Sequence, residues 1–121
     1  DLVHCGGNYM TDGLGTASSS DLVYSENDET DQQINDLMES YYGIETYYVL
    51  PDPNNTYIDH IDCWGKYLSP TKVLIREVPQ NHPQYNEIEY VASYFSESLT
   101  EWGYTWEVHR VYKPNDQPYT N

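Results

Sequence analysis

The sequence predicts an α/β fold assembled from two ββαβ units, and three observations carry that expectation. Two segments repeat their apolar residues with helical spacing. Strand-like runs rich in Tyr, Val, Ile and Thr flank each of them. Turn clusters separate the runs, so that the order ββαβ occurs twice in 121 residues, a length suited to one modest domain.

The first helix is expected from about Thr30 to Tyr42. Ile34, Leu37, Met38 and Tyr41 fall on one face, Asp28 or Thr30 can cap the start, and Gly43 stands where a left-handed residue closes a helix. The second is expected from about Pro83 to Trp102, with the stripe Ile88, Val91, Ala92, Phe95, Leu99 and Trp102, and Gly103 as its stop. Strands are expected at Leu2–Met10, Gly15–Tyr24 and Thr46–Leu50 in the first unit. In the second they are expected at Ile58–Tyr67, Lys72–Val78 and Tyr104–Tyr112. Asp12-Gly13 marks a hairpin and Ser69-Pro70 a turn between strands. The units divide near residues 54 and 113, with 114–121 opening a further element. A repeated unit buries its open faces against more copies of itself, so two units with free sheet edges look incomplete; such edges should pair with further units or with a second copy of the chain.

Charge narrows the partners. Five Lys and Arg stand against 20 Asp and Glu, a net charge of −15. Nucleic acid is excluded as a partner, since its binding depends on Lys and Arg meeting phosphates. An acidic surface favours cationic ligands and solubility. No stretch approaches the ~20 apolar residues of a membrane helix, and mean hydropathy is −0.78. The chain opens at Asp1-Leu2-Val3 without an initiator Met or a leader-like run, which leaves room for a leader already removed. Fourteen tyrosines against one Phe suit half-buried strands and polar pockets. Cys5 and Cys63 lie in neither a CxxC nor a zinc spacing; a disulfide or two thiols are equally open. Asn54-Asn55-Thr56 matches a glycosylation sequon.

One segment carries chemistry: Asn55-Thr56-Tyr57-Ile58-Asp59-His60-Ile61-Asp62-Cys63-Trp64. In a strand, His60 and Asp62 would share a face with Ile58. A His beside a carboxylate joins an acid/base to a group whose two oxygens match the paired N–H groups of a guanidinium. The same pair could be two thirds of a metal site, or a surface ion pair. A second segment, His4-Cys5-Gly6-Gly7-Asn8-Tyr9-Met10-Thr11-Asp12-Gly13, allows close backbone approach at Gly6-Gly7 but has the wrong spacing for a dinucleotide or phosphate loop.

These residues together resemble the bacterial, Porphyromonas-type peptidylarginine deiminases. Gly6-Gly7-Asn8-Tyr9-Met10-Thr11-Asp12-Gly13 is similar to their glycine-rich hairpin, and Tyr57-Ile58-Asp59-His60-Ile61-Asp62-Cys63-Trp64-Gly65-Lys66-Tyr67-Leu68 to their active-site segment. Val78-Pro79-Gln80-Asn81-His82-Pro83 and Gln117-Pro118-Tyr119-Thr120-Asn121 follow in the family's order. Agmatine deiminases share the Gly-Gly, Asp-Gly-x-Gly-Thr and His-x-Asp elements but place other residues after the Asp.

The resemblance implies a five-bladed α/β-propeller (pentein) of ββαβ modules, of which this chain would supply two. It implies hydrolysis of arginine's guanidinium to citrulline and ammonia through a covalent cysteine thiouronium, without a cofactor. His60 would be the acid/base, Asp62 would hold the guanidinium, Asn121 would assist, and Tyr57 and Ile58 would line the substrate pocket. The nucleophilic cysteine, a second guanidinium-binding Asp and the arginines that read a substrate carboxylate would lie outside these residues, with Cys5 and Cys63 structural. The 121 residues alone are therefore expected to be inactive. An arginine-containing peptide is the expected substrate, with agmatine or another small guanidine as the alternative. A stand-alone remnant that binds guanidinium without turnover is a third reading. The residues leave the location unknown; the family resemblance is compatible with a secreted or cell-envelope protein. Some relatives bind calcium, but no calcium site can be placed on these residues.

Overall fold

A computed structural model describes residues 1–115. Its strands form two three-stranded sheets, β1-β2-β3 and β4-β5-β6. The first comprises β1 (Met10–Thr11), β2 (Thr16–Ser20) and β3 (Thr46–Leu50). The second comprises β4 (Gly65–Ser69), β5 (Lys72–Glu77) and β6 (Glu107–Tyr112). Helices α1 (Leu22–Ser25) and α2 (Asp31–Tyr42) join β2 to β3, and α3 (Tyr85–Glu97) joins β5 to β6. In each sheet the first two strands pair antiparallel across a tight turn, and the third runs parallel to the second after a helical crossover. The ββαβ order is therefore present twice.

Helix α2 begins and ends as its sequence dictates. The Thr30 hydroxyl accepts the Gln33 N–H, Gln33 reaches back to the Thr30 N–H, and Gly43 closes the helix at φ 67°. Helix α3 stops earlier than its apolar stripe suggests. It ends at Glu97, and Leu99 then pairs with Thr105 in an isolated bridge that folds the chain back. Leu99 and Trp102 are 60% and 55% exposed, so neither joins the buried stripe, and Gly103 (φ 77°) serves this turn and not a helix end.

Other strands are shorter than expected. Leu2–Met10 contains a 3-10 turn at Gly6–Asn8 and contributes only Met10–Thr11 to a sheet. Gly15–Tyr24 is a strand only to Ser20 before turning into α1. Tyr104–Tyr112 is a strand from Glu107. The Asp12-Gly13 hairpin is present: Asp12 Oδ1 accepts the N–H groups of Leu14 and Thr16, with Gly13 at φ 75°.

One apolar cluster spans both sheets. Val73, Ile75, Val91, Phe95 and Trp106 of the second unit pack with Met10 and Leu50 of the first. Tyr67 stacks on Trp106 at 4.7 Å, and Phe95 sits edge-on to Tyr48, Tyr67 and Trp106. The Ser18 hydroxyl meets the Tyr67 hydroxyl at 2.5 Å across the two sheets. Arg76 is 2% exposed, and its guanidinium donates to the carbonyls of Lys113 and Asn115 and to Asn54 Oδ1. A buried charge is tolerated only when its donors are satisfied in this way. Asn54, the sequon asparagine, is 6% exposed, and its Oδ1 accepts from the Arg76 guanidinium.

Candidate functional site

The expected strand Ile58–Tyr67 does not form. Its first part is a loop followed by a 3-10 turn at Ile61–Cys63, and regular strand begins only at Gly65. The alternation argument that put His60 and Asp62 on one face therefore fails. The two side chains meet nonetheless, for a different reason. Both close over the backbone of Gly7: a Cβ at that residue would lie 2.6 Å from His60 Nδ1 and 3.1 Å from Asp62 Oδ2. Distances that short exclude any larger residue unless the pair moves, so Gly7 is required by close approach and not by an unusual φ. Both side chains are half-buried.

The backbone on either side of His60 is clamped from the first sheet. Asn8 is 1% exposed, and its Oδ1 accepts the N–H of Ser20 at 2.7 Å and of Ile61 at 3.2 Å. Its Nδ2 donates to the Ser20 carbonyl at 3.3 Å. The Ser20 hydroxyl donates to the Asp59 carbonyl through a short hydrogen bond. Asp59 has φ 57°, a left-handed conformation that costs a residue with a Cβ about 1–2 kcal/mol and persists only where the surroundings impose it. Ser20 does not stand out in the sequence, and Asn8 is marked there only as a member of the glycine-rich segment. For Ser20 the signal is a buried Thr-Ala-Ser-Ser-Ser strand with no large apolar residue.

Carboxylates crowd the same loop. Burial first, then the neighbouring Asp52 and Asp21, push the Asp59 carboxyl up to about 6. Asp52 also accepts the N–H groups of Asn54 and Thr56, which shapes the approach to the loop. Among the described residues no group of three or more His, Cys, Asp or Glu side chains is placed to hold a metal ion, so His60 and Asp62 find no third ligand there.

Both cysteines are free thiols. Cys63 is fully buried in the apolar cluster, and its S–H approaches Asp62 Oδ1 at 3.7 Å. Burial and the adjacent Asp62 push that thiol up to about 11, so it stays protonated near neutral pH. Cys5 lies 3.9 Å from Glu26 Oε1. Tyr57 is 93% exposed, and Ile58 packs partly against the apolar cluster. Asn121 lies outside the described residues.

The model of the Porphyromonas-type peptidyl-arginine deiminase family matches residues 1–121. Solved structures with the same fold include an agmatine deiminase of Enterococcus faecalis, at TM-score 0.79 and 18% identity, covering 88% of this chain and 31% of that one. A Porphyromonas gingivalis protein assigned as an arginine deiminase matches at TM-score 0.78 and 16% identity, over 88% and 34% of the two chains. The Campylobacter jejuni agmatine deiminase matches at TM-score 0.76 and 14% identity, over 93% and 33%. The chain thus spans about a third of the length of these structures and has the fold of part of an α/β-propeller.

Proposed function

Because the chain belongs to the Porphyromonas-type peptidyl-arginine deiminase family, we propose that it is the part of a guanidine-hydrolysing enzyme that binds the substrate's guanidinium and moves its protons. The observation that carries this reading is the convergence of His60 and Asp62 over the backbone of Gly7. On this reading residues 1–54 and 55–113 are two propeller modules, and the remaining modules of the parent protein complete the site.

Asp62 accepts the N–H groups of the guanidinium and fixes its plane. That matters because a guanidinium, with its charge delocalised, is a poor electrophile unless the nucleophile meets its carbon in line. A cysteine thiolate from outside these residues forms a C–S bond to that carbon. His60 delivers a proton to the departing nitrogen, the C–N bond breaks, and ammonia leaves a thiouronium. His60 then takes a proton from water, whose oxygen attacks the same carbon. The C–S bond breaks, the thiolate is restored, and a ureido product leaves. Asn121 assists His60 and the thiolate, and Tyr57 and Ile58 border the substrate. Cys63 is a poor candidate for the nucleophile because its thiol is buried and resists ionisation. The 121 residues alone should therefore not turn over.

Peptidyl-arginine is the favoured substrate because the family match spans the whole chain. Agmatine is the second reading, favoured by the agmatine deiminases among the structural relatives. The test is ureido-product release by the full-length parent with an arginine-containing peptide and agmatine side by side. Turnover of the peptide alone supports peptidylarginine deimination, and turnover of agmatine alone moves the substrate while keeping His60 and Asp62 in their roles. Silence on both leaves a guanidinium-binding remnant.

A further inference from the structure

We propose that Asn8 and Ser20 are positioning residues that set the catalytic geometry of His60 from a neighbouring sheet. The inference rests on the acid/base role given to His60 above and adds what holds that side chain in place. A histidine that must protonate one nitrogen and later deprotonate water needs its ring fixed to a fraction of an ångström. A loop without regular secondary structure does not provide that by itself. His60 lies in such a loop, between a residue at φ 57° and a three-residue 3-10 turn.

The two peptide units that flank His60 are each held by one side chain. The unit before it is held at the Asp59 carbonyl by the Ser20 hydroxyl, and the unit after it at the Ile61 N–H by Asn8 Oδ1. The clamps are themselves coupled, since Asn8 accepts from the Ser20 N–H and donates to the Ser20 carbonyl. Ser20 in turn is the last residue of β2, a strand wholly removed from solvent and paired in register with β3 through Ser20 and Leu50. Rigidity thus passes from a central strand paired along its whole length with β3, through two buried polar side chains, to the backbone of one histidine. The alternation of β2 supports the assignment. Ser18 and Ser20, two apart, reach Tyr67 and the His60 loop, whereas the Ser19 hydroxyl between them pairs with Tyr47 in its own sheet.

The test uses the full-length parent with Ser20→Ala, which removes the hydroxyl but keeps the backbone groups that Asn8 needs. Tyr47→Phe serves as control, since it removes a hydroxyl bond to the opposite face of the same strand. We expect Ser20→Ala to lower kcat about 10- to 100-fold with KM close to wild type. Its thermal midpoint should be nearly unchanged, and the histidine-dependent limb of its kcat–pH profile displaced. Tyr47→Phe should leave kcat and the profile as in wild type. Asn8→Ala should act in the same direction, and Ser20→Ala decides the matter if that variant does not fold. Wild-type kcat in Ser20→Ala would overturn the positioning role, as would a lower kcat on an unmoved pH profile, which signals only a smaller folded fraction. An inactive wild-type parent, or a fully active His60→Ala variant, would instead overturn the function reading and this inference with it.

Discussion

The two ββαβ units share a topology but fill their interiors differently. In the second, the central strand β5 brings Val73 and Ile75 against Val91 and Phe95 of α3, with Trp106 and Tyr67 closing the cluster. In the first, the central strand β2 is Thr-Ala-Ser-Ser-Ser, buried at every position, and its separate apolar cluster has only Ala17, Met38 and Ile44 as buried members. The hydroxyls of Ser18, Ser19 and Ser20 all find partners, which is the condition for burying them. Large apolar side chains supply most of the free energy of folding, whereas buried hydrogen bonds add little net stability but specify geometry. The second unit is thus the stabilising half, and the first is the half that aims the loop carrying His60.

The largest effect that this comparison predicts is on stability. Phe95→Ala should cost about 3–5 kcal/mol, because it empties the centre of the cluster shared by both sheets. A loss below about 1 kcal/mol in denaturant unfolding would contradict the division. Next comes Gly7→Ala, on the aiming side. The new methyl must displace His60 or Asp62, so turnover by the parent should fall on the order of 100-fold with little change in unfolding midpoint.

The smallest effect concerns Asp59, whose carboxyl sits near 6 in the folded chain and near 3.9 when unfolded. A raised folded value means that the protonated form is the stabilising one. Its contribution is complete below about pH 4 and is lost as the pH rises through 6. Asp59→Asn keeps a neutral group at every pH. It should therefore melt with wild type near pH 4 and a few degrees, about 3 °C, higher above pH 6. Equal differences at both pH values would contradict the assignment.

How much of this was legible in the sequence follows from the same contrast. Helix α2 was readable because its cap, periodicity and Gly43 stop are local signals. Strand β3 was readable because Thr46–Leu50 is a run of strand formers between clear breaks. The segment at Ile58–Tyr67 misled because its residue types favour a strand, while its path is set by Asn8 and Ser20, some 40 to 50 residues away. Such tertiary bonds override local propensity. His60 and Asp62 were singled out by their side-chain chemistry and the family resemblance, but the reason they meet, the missing Cβ at Gly7, lay in the other half of the chain. Likewise, the periodicity through Leu99 and Trp102 continues a helix that the chain abandons for the Leu99–Thr105 bridge.

The central claim is that Asp62 and His60 handle a guanidinium together, and the most direct measurement is kcat/KM for Asp62→Asn in the full-length parent with an arginine-containing peptide. The substitution keeps size and removes charge. The account predicts a fall of at least about 100-fold in kcat/KM with folding nearly intact. Wild-type kcat/KM in a folded Asp62→Asn enzyme would contradict it.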